Sequence, residues 1–300
     1  MMLVLMRIGH SRFAEVPTAL EFKQLLELAR ICNRYDTNQL IYPYIHSWIS
    51  PHQPKILQQG YEQWLYIAYQ FGLEDDYSKL SKYLAIECRI NSEKQLLVPG
   101  AGQVMTGCFP DECLCKYSLH DVHDDKRTFS NILPAAIRHS RVKTLVSILN
   151  TVYSLVTKMT QGNTCQAQNP TPTLPGIDER TLCTHYNHGS LQRYLKMQGY
   201  WPPIFNVGSI EGSVVEMTDG LFAIPKINMP SLRCDSVTIN DGTTQSTTPV
   251  NQHAACDVGM ILTDKIQEVL DKLKPLVEMR TLEAIRTNAR KSGLTRLGER

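Results

Sequence analysis

From Leu20 to Cys32 the apolar residues Phe22, Leu25, Leu26, Ala29 and Cys32 recur at three- and four-residue steps, and the period returns in Tyr61, Trp64, Leu65, Ala68 and Phe71. Apolar side chains at that spacing line one face of a helix, whereas a half-buried strand would alternate. Pro17-Thr18 punctuates the entry to the first helix, and Gly72 stands where a left-handed cap would close the other. Asp36-Thr37 would cap a helix running to Trp48 and Ile49, which Pro43 should kink or break and Ser50-Pro51 should end. A fourth helix from about Glu74 would turn Tyr77, Leu80, Leu84 and Cys88 inward. Four helices joined by short turns predict a mainly α chain.

At 300 residues and 34.0 kDa the chain is long enough for a buried core and for about two domains. Lys+Arg 31 against Asp+Glu 29 leaves a formal charge of +2, too near balance to propose nucleic-acid binding. The nine cysteines are odd in number and irregularly spaced. The apolar run Met1 to Met6 lacks the length, the preceding basic segment and the small-residue cleavage site of a secretion signal. Free thiols in a reducing intracellular compartment, cytoplasmic or nuclear, are therefore expected. Val142 to Met159 is strongly apolar but carries Lys143 and Lys158 and repeats its apolar residues on one face, so it reads as a core helix and not a membrane span.

Helical periodicity stops at Asn91. Residues 92–131 contain Pro99-Gly100-Ala101-Gly102, three closely spaced cysteines and a polar run from His120 to Arg127, and read as an irregular insertion. A long helix follows over 132–162, with Pro134 in its first turn and Ile137, Leu145, Ile148, Leu149, Val152, Val156 and Met159 as its stripe. Residues 163–178 are a Gly/Asn/Pro/Thr linker, and 179–300 a C-terminal helical region with loops. Within it, helices are expected from about Ser190 to Met197, from Ser213 to Leu221, and after Asp257 as a cap, with Leu262, Ile266, Val269, Leu270 and Leu273 facing inward. Pro275 separates the last helix, whose basic end from Arg286 onward should fray.

No phosphate-binding loop, dinucleotide fingerprint, H-E-x-x-H or G-x-S-x-G elbow is present. His188-Gly189-Ser190 places a hydroxyl near an imidazole, yet no orienting acid can be named, and Ser190 reads as a helix start. Two sets of residues have the atom types that zinc prefers. The first, Cys108, Cys113, Cys115, His120 and His123, has a spacing that matches no common structural zinc pattern. The second combines Cys183, one of His185 and His188, and His253-Ala254-Ala255-Cys256, whose two-residue spacing can chelate one ion beside a helix start. His188 is preferred to His185 because it lies nearer the expected Ser190 helix. The competing reading makes these cysteines and histidines buried core residues or caps. Phe22, Leu25, Trp48, Trp64 and Phe71 are expected as core or as the lining of a binding groove.

The stretch Arg12-Phe13-Ala14-Glu15-Val16-Pro17, followed by Leu25-Leu26-Glu27-Leu28-Ala29, Tyr35-Asp36, Pro43, Trp48-Ile49, Trp64-Leu65-Tyr66-Ile67-Ala68 and Phe71-Gly72, resembles filamentous-fungal proteins with a BTB/POZ domain. Leu133-Pro134, Ile137, Arg141, Cys183, Gly189-Ser190-Leu191, Trp201-Pro202, Gly212-Ser213-Val214 and His253-Ala254-Ala255-Cys256 look like later punctuation of that family. Ser11 departs from its usual glycine. The resemblance implies that residues 1–50 correspond to the C-terminal end of a BTB-like domain and 51–91 to its helical extension. The strands and helix that form the dimer interface in such domains lie outside the match, so dimerisation is not expected.

These readings converge on a non-catalytic intracellular protein–protein interaction module, an adaptor or scaffold without a membrane or nucleic-acid partner and with no cofactor required. One alternative is a binding module stabilised by zinc at Cys183, His188, His253 and Cys256. The other is a hydrolase with a Cys or Ser nucleophile.

Overall fold

The computed structural model describes residues 1–105, 129–162, 164–167, 178–225, 253–273 and 279–294. They are mainly α-helical, as expected, with one two-stranded hairpin. The chain divides into two compact units: Met1–Lys143 with Gly208–Val214 and Leu273–Arg300, and Thr144–Val207 with Val215–Lys272.

The first unit contains helices α1 (Met2–Gly9), α2 (Phe22–Tyr35), α3 (Tyr42–Ile49), α4 (Trp64–Phe71) and α5 (Glu74–Glu87), followed by the antiparallel strands β1 (Arg89–Ile90) and β2 (Leu96–Leu97). Every residue of α4 is buried, because its apolar residues run around the whole helix instead of along one stripe. Helices α2 and α5 pack against it. Leu25, Trp48, Trp64 and Phe71 are sealed in this core, while Phe22 is partly buried at its edge against Tyr61. The four sealed residues are core and line no open groove.

The large polar side chains carried into this interior find partners, as burial demands. The Trp48 indole N–H donates to Pro17 O at 2.8 Å, and that of Trp64 to Asp76 at 3.1 Å. Asn38 donates to Gln70 O and accepts from the Gln70 side chain. Asp36 closes α2 in the left-handed conformation instead of capping the next helix. A 3-10 turn over Asn38–Ile41 follows, and Pro43 lies in the first turn of α3, where its missing N–H costs nothing.

Helix α6 (Phe129–Gln161) contributes to both units. It starts earlier than its apolar stripe indicates, so Pro134 lies inside the helix and not in its first turn. In the first unit Arg141 is fully buried and donates to the carbonyls of Cys88, Ile210 and Gly212, which fastens Gly208–Val214 to that core.

The second unit contains the rest of α6, then α7 (Glu179–Met197), most of α8 (Val214–Phe222), and α9 (Val258–Asp271). Helix α7 begins well before Ser190, because Asp178 accepts from Arg180 N and Thr181 N and the chain passes through Gly189 without breaking. Ser190 is mid-helix, and residues two apart on a helix point to different sides, so His188 and Ser190 form no dyad. Tyr153 ties α6 to the loop after α7 by donating to Tyr200 O and accepting from Ile204 N.

The last helix, α10 (Met279–Ser292), groups with the first unit instead of with 179–273, and it packs chiefly on α4. Ile285, Asn288, Ala289 and Ser292 are buried, Asn288 donates to Tyr69 O, and Arg286 makes a two-pronged ion pair with Glu74. Residues 286–292 are therefore a docked helical face where fraying was expected. Among the described residues no helix is long and apolar enough to cross a membrane.

Gly72 is the contact that admits α10. It caps α4 at φ +83°, and a Cβ there would overlap the backbone nitrogen of Ala289. Gly72→Ala should destabilise the chain by about 2–4 kcal/mol, combining backbone strain with overpacking. Gly60→Ala, also at positive φ but facing open space, should cost only about 1 kcal/mol. Urea unfolding midpoints of the two variants check this contrast.

Candidate metal centre

The sulfurs of Cys165, Cys183 and Cys256 and a ring nitrogen of His253 all lie within 4.8 Å of one another. Three segments of the second unit bring them together. Helix α7 supplies a single face on which Glu179, Cys183 and Asn187, spaced four apart, are all buried. A 3-10 turn over Ala254–Cys256 is closed by the Cys256 N–H donating to His253 O at 2.9 Å, which sets His253 and Cys256 on the same side. Asp257 then caps α9 by accepting from Gly259 N.

The third segment, residues 164–167, is irregular and is held from both ends. Thr164 N donates to Thr184 Oγ1 at 3.1 Å, and Arg180 Nη2 donates to Ala167 O at 3.2 Å. Between these anchors Cys165 Sγ stands 3.7 Å from Cys256 Sγ and 3.4 Å from His253 Nδ1, and Cys256 Sγ is 4.0 Å from that nitrogen. A tetrahedral zinc with ordinary bond lengths separates two sulfurs by roughly 3.8 Å and a sulfur from a nitrogen by roughly 3.5 Å. The donor set and its spacing fit that ion.

The surroundings support the same donors. Gln166 N donates to Cys256 Sγ at 3.2 Å, and Asn187 Nδ2 donates to Cys183 Sγ at 3.5 Å and to Cys256 O at 3.0 Å. His253 Nε2 lies 3.1 Å from Glu179 Oε1, both side chains being buried. Burial pushes the Cys183 thiol up, and the neighbouring Cys256 and Cys165 push it further. Cys165 is also raised, chiefly by burial. At Cys256 burial acts upward too, but hydrogen bonds from Gln166 N and the side chains of His253, Cys165 and Cys183 outweigh it and hold the thiol below its ordinary range. Burial lowers His253, and the contacts with Glu179 and Cys256 more than reverse this. Ionising one thiol therefore opposes ionising its neighbours, a conflict that a bound divalent cation removes.

Of the four metal ligands expected from sequence, Cys183, His253 and Cys256 are brought together and His188 is not. His188 is five residues beyond Cys183, which on a helix rotates it by about 140° from the ligand face, and His185, two residues beyond, is on the far side. Cys165 takes the fourth place. The position four residues after Cys183, which does share its face, is Asn187. A cysteine in a short non-helical segment gives no periodic signal, and the only sequence hint was its type. The alternative set of Cys108, Cys113, Cys115, His120 and His123 lies outside the described residues. Cys32 and Cys88 are separate core residues of the first unit, and burial pushes Cys32 up to about 11.

This assignment separates two histidine and cysteine variants. Cys165→Ser should lose stoichiometric zinc on dialysis against a competing chelator, whereas His188→Ala should keep about one equivalent. Metal content of the purified variants checks both. No family model, curated protein or solved structure matches this chain.

Proposed function

We propose that the chain is a zinc-stabilised, non-catalytic helical module that binds a protein partner. The observation that carries this reading is the convergence of Cys165, Cys183, His253 and Cys256 within 4.8 Å. Four protein donors fill a tetrahedral ion and leave no open position for substrate or reactive water, which is the mark of a structural zinc site. Its role is to pin α7, the 254–256 turn and residues 164–167 to one another. The reduced thiols fit a reducing, intracellular compartment.

The binding role draws on the resemblance of residues 1–91 to BTB/POZ proteins and on helix α1. Met2, Leu3 and Met6 stand exposed on α1, with Phe13 exposed shortly after it. Apolar side chains grouped this way are common at protein-binding surfaces.

One feature favours a second reading. Cys165 Sγ, His253 Nδ1 and Glu179 Oε1 form a thiol–imidazole–carboxylate relay with steps of 3.4 and 3.1 Å, the order of groups in a thiol hydrolase. Such an enzyme needs one nucleophilic thiol with room for an acyl group. Here two further sulfurs occupy that space, so zinc accounts for more of the site.

Elemental analysis of the full chain should give about one zinc per molecule, and stripping it should lower the cooperativity and midpoint of thermal unfolding. With zinc bound, Cys165 should resist iodoacetamide and should react only after chelation; rapid labelling in metal-loaded protein would favour the thiol enzyme. Affinity should fall as pH falls, because Cys183 and Cys165 are raised and must shed protons to bind, while Cys256 is lowered and competes less. His253, which burial lowers but Glu179 and Cys256 raise on balance, must also be neutral to bind, so the expected slope is between about two and four decades of affinity per pH unit near neutrality. Competition with a calibrated chelator across pH measures it, and a pH-independent affinity contradicts thiolate ligation.

A further inference from the structure

We propose that Glu179 is a positioning residue of this centre: it accepts the Nε2–H of His253 and so fixes the tautomer that leaves Nδ1 free to hold the metal. The inference rests on the zinc reading above and adds to it which ring nitrogen binds and which residue decides it.

The ring orientation is given by the geometry. Nδ1 is the nitrogen that faces sulfur, 3.4 Å from Cys165 Sγ and 4.0 Å from Cys256 Sγ, while Nε2 faces Glu179 Oε1 at 3.1 Å. A neutral imidazole carries one N–H, and which nitrogen bears it is set by the hydrogen bond it makes. A carboxylate opposite Nε2 requires the proton there, since two lone pairs would otherwise face each other. Nδ1 is then unprotonated and directed at the sulfurs.

The placement of Glu179 calls for such a role. A glutamate in the first turn of a helix is favoured by the helix dipole while it remains in water, and nothing about that preference requires burial. Glu179 is only 6% exposed. Its neighbour Arg180 is directed elsewhere, to Ala167 O. Oε1 meets His253, and buried Oε2 has no hydrogen-bond partner among the described residues. Burying a carboxylate is unfavourable unless it is engaged, and the engagement present is the one to the imidazole. Its face on α7 explains the reach: Glu179 and Cys183 are one helical turn apart, so the same helix that supplies a sulfur supplies the group that orients the nitrogen.

The test uses the full chain with its histidines labelled with NMR-active nitrogen and loaded with NMR-active cadmium in place of zinc. Cadmium should couple to Nδ1 of His253, and the Nε2 proton should be visible in long-range nitrogen–proton spectra; coupling to Nε2 would overturn the proposal without any variant. In chelator competition Glu179→Ala should bind zinc roughly 10- to 100-fold more weakly than the parent chain, as expected for loss of an outer-shell partner. Glu179→Gln keeps an acceptor oxygen and should lose less. Unchanged zinc affinity in Glu179→Ala would also sink the proposal, while leaving the zinc reading intact. If the parent chain itself takes up neither zinc nor cadmium, both fall together.

Discussion

Three thiols and an imidazole gathered within 4.8 Å impose a constraint on protonation that the second unit is arranged around. If one thiol ionises, its charge opposes ionisation of the others; if none does, a buried pocket is filled by weak S–H donors where apolar side chains would pack better. A cation with four ligands resolves the conflict, and the local structure reads as its support. Asp178 starts α7 one turn before Cys183, and Asp257 starts α9 directly after Cys256. Arg180 and Thr184 hold the ends of the segment that carries Cys165. Each of these contacts is a modest hydrogen bond, and their joint effect is to aim four donors at one point.

The first unit is governed by a different principle. Its centre is α4, eight residues with no polar face, around which α2, α5 and α10 supply the enclosing surface. A helix that is apolar all round must be covered on every side. The chain completes that cover with residues from the opposite end of the sequence, and Gly72 removes the side chain that would keep α10 away.

How much of this could be read from sequence depends on the range of each interaction. Helices α2, α4 and α5 follow from i, i+3, i+4 spacing, which is local information, and so does the Asp257 cap. The pair His253 and Cys256 was legible because one turn of chain holds both. The start of α7 was obscured by Gly189, a residue that lowers helix propensity but does not forbid a helix already held by a cap and by packing. Pro43 was ambiguous in the same way, since proline breaks a helix in its interior and starts one at its first turn. The fourth ligand was out of reach: Cys165 meets Cys256 across 91 positions, and nothing in a short irregular segment marks which way its side chain points. His188 stands away from the cluster because α7 includes it five residues after Cys183, off the face that Cys183 occupies.

A metal held at this cluster would also bear on how far the chain can vary in length. A metal cross-link between Cys165 and Cys256 would enclose about ninety residues, and in the chain-entropy description of such closures this would disfavour the unfolded ensemble by about 4–5 kcal/mol. That quantity grows only with the logarithm of loop length, so inserting or deleting ten residues between the ligands would alter it by only about 0.1 kcal/mol. Such a cross-link would leave the stability of the unit nearly insensitive to the length of chain between the ligands. A centre of this kind lets evolution rewrite the loops of a helical protein while its helices stay in register.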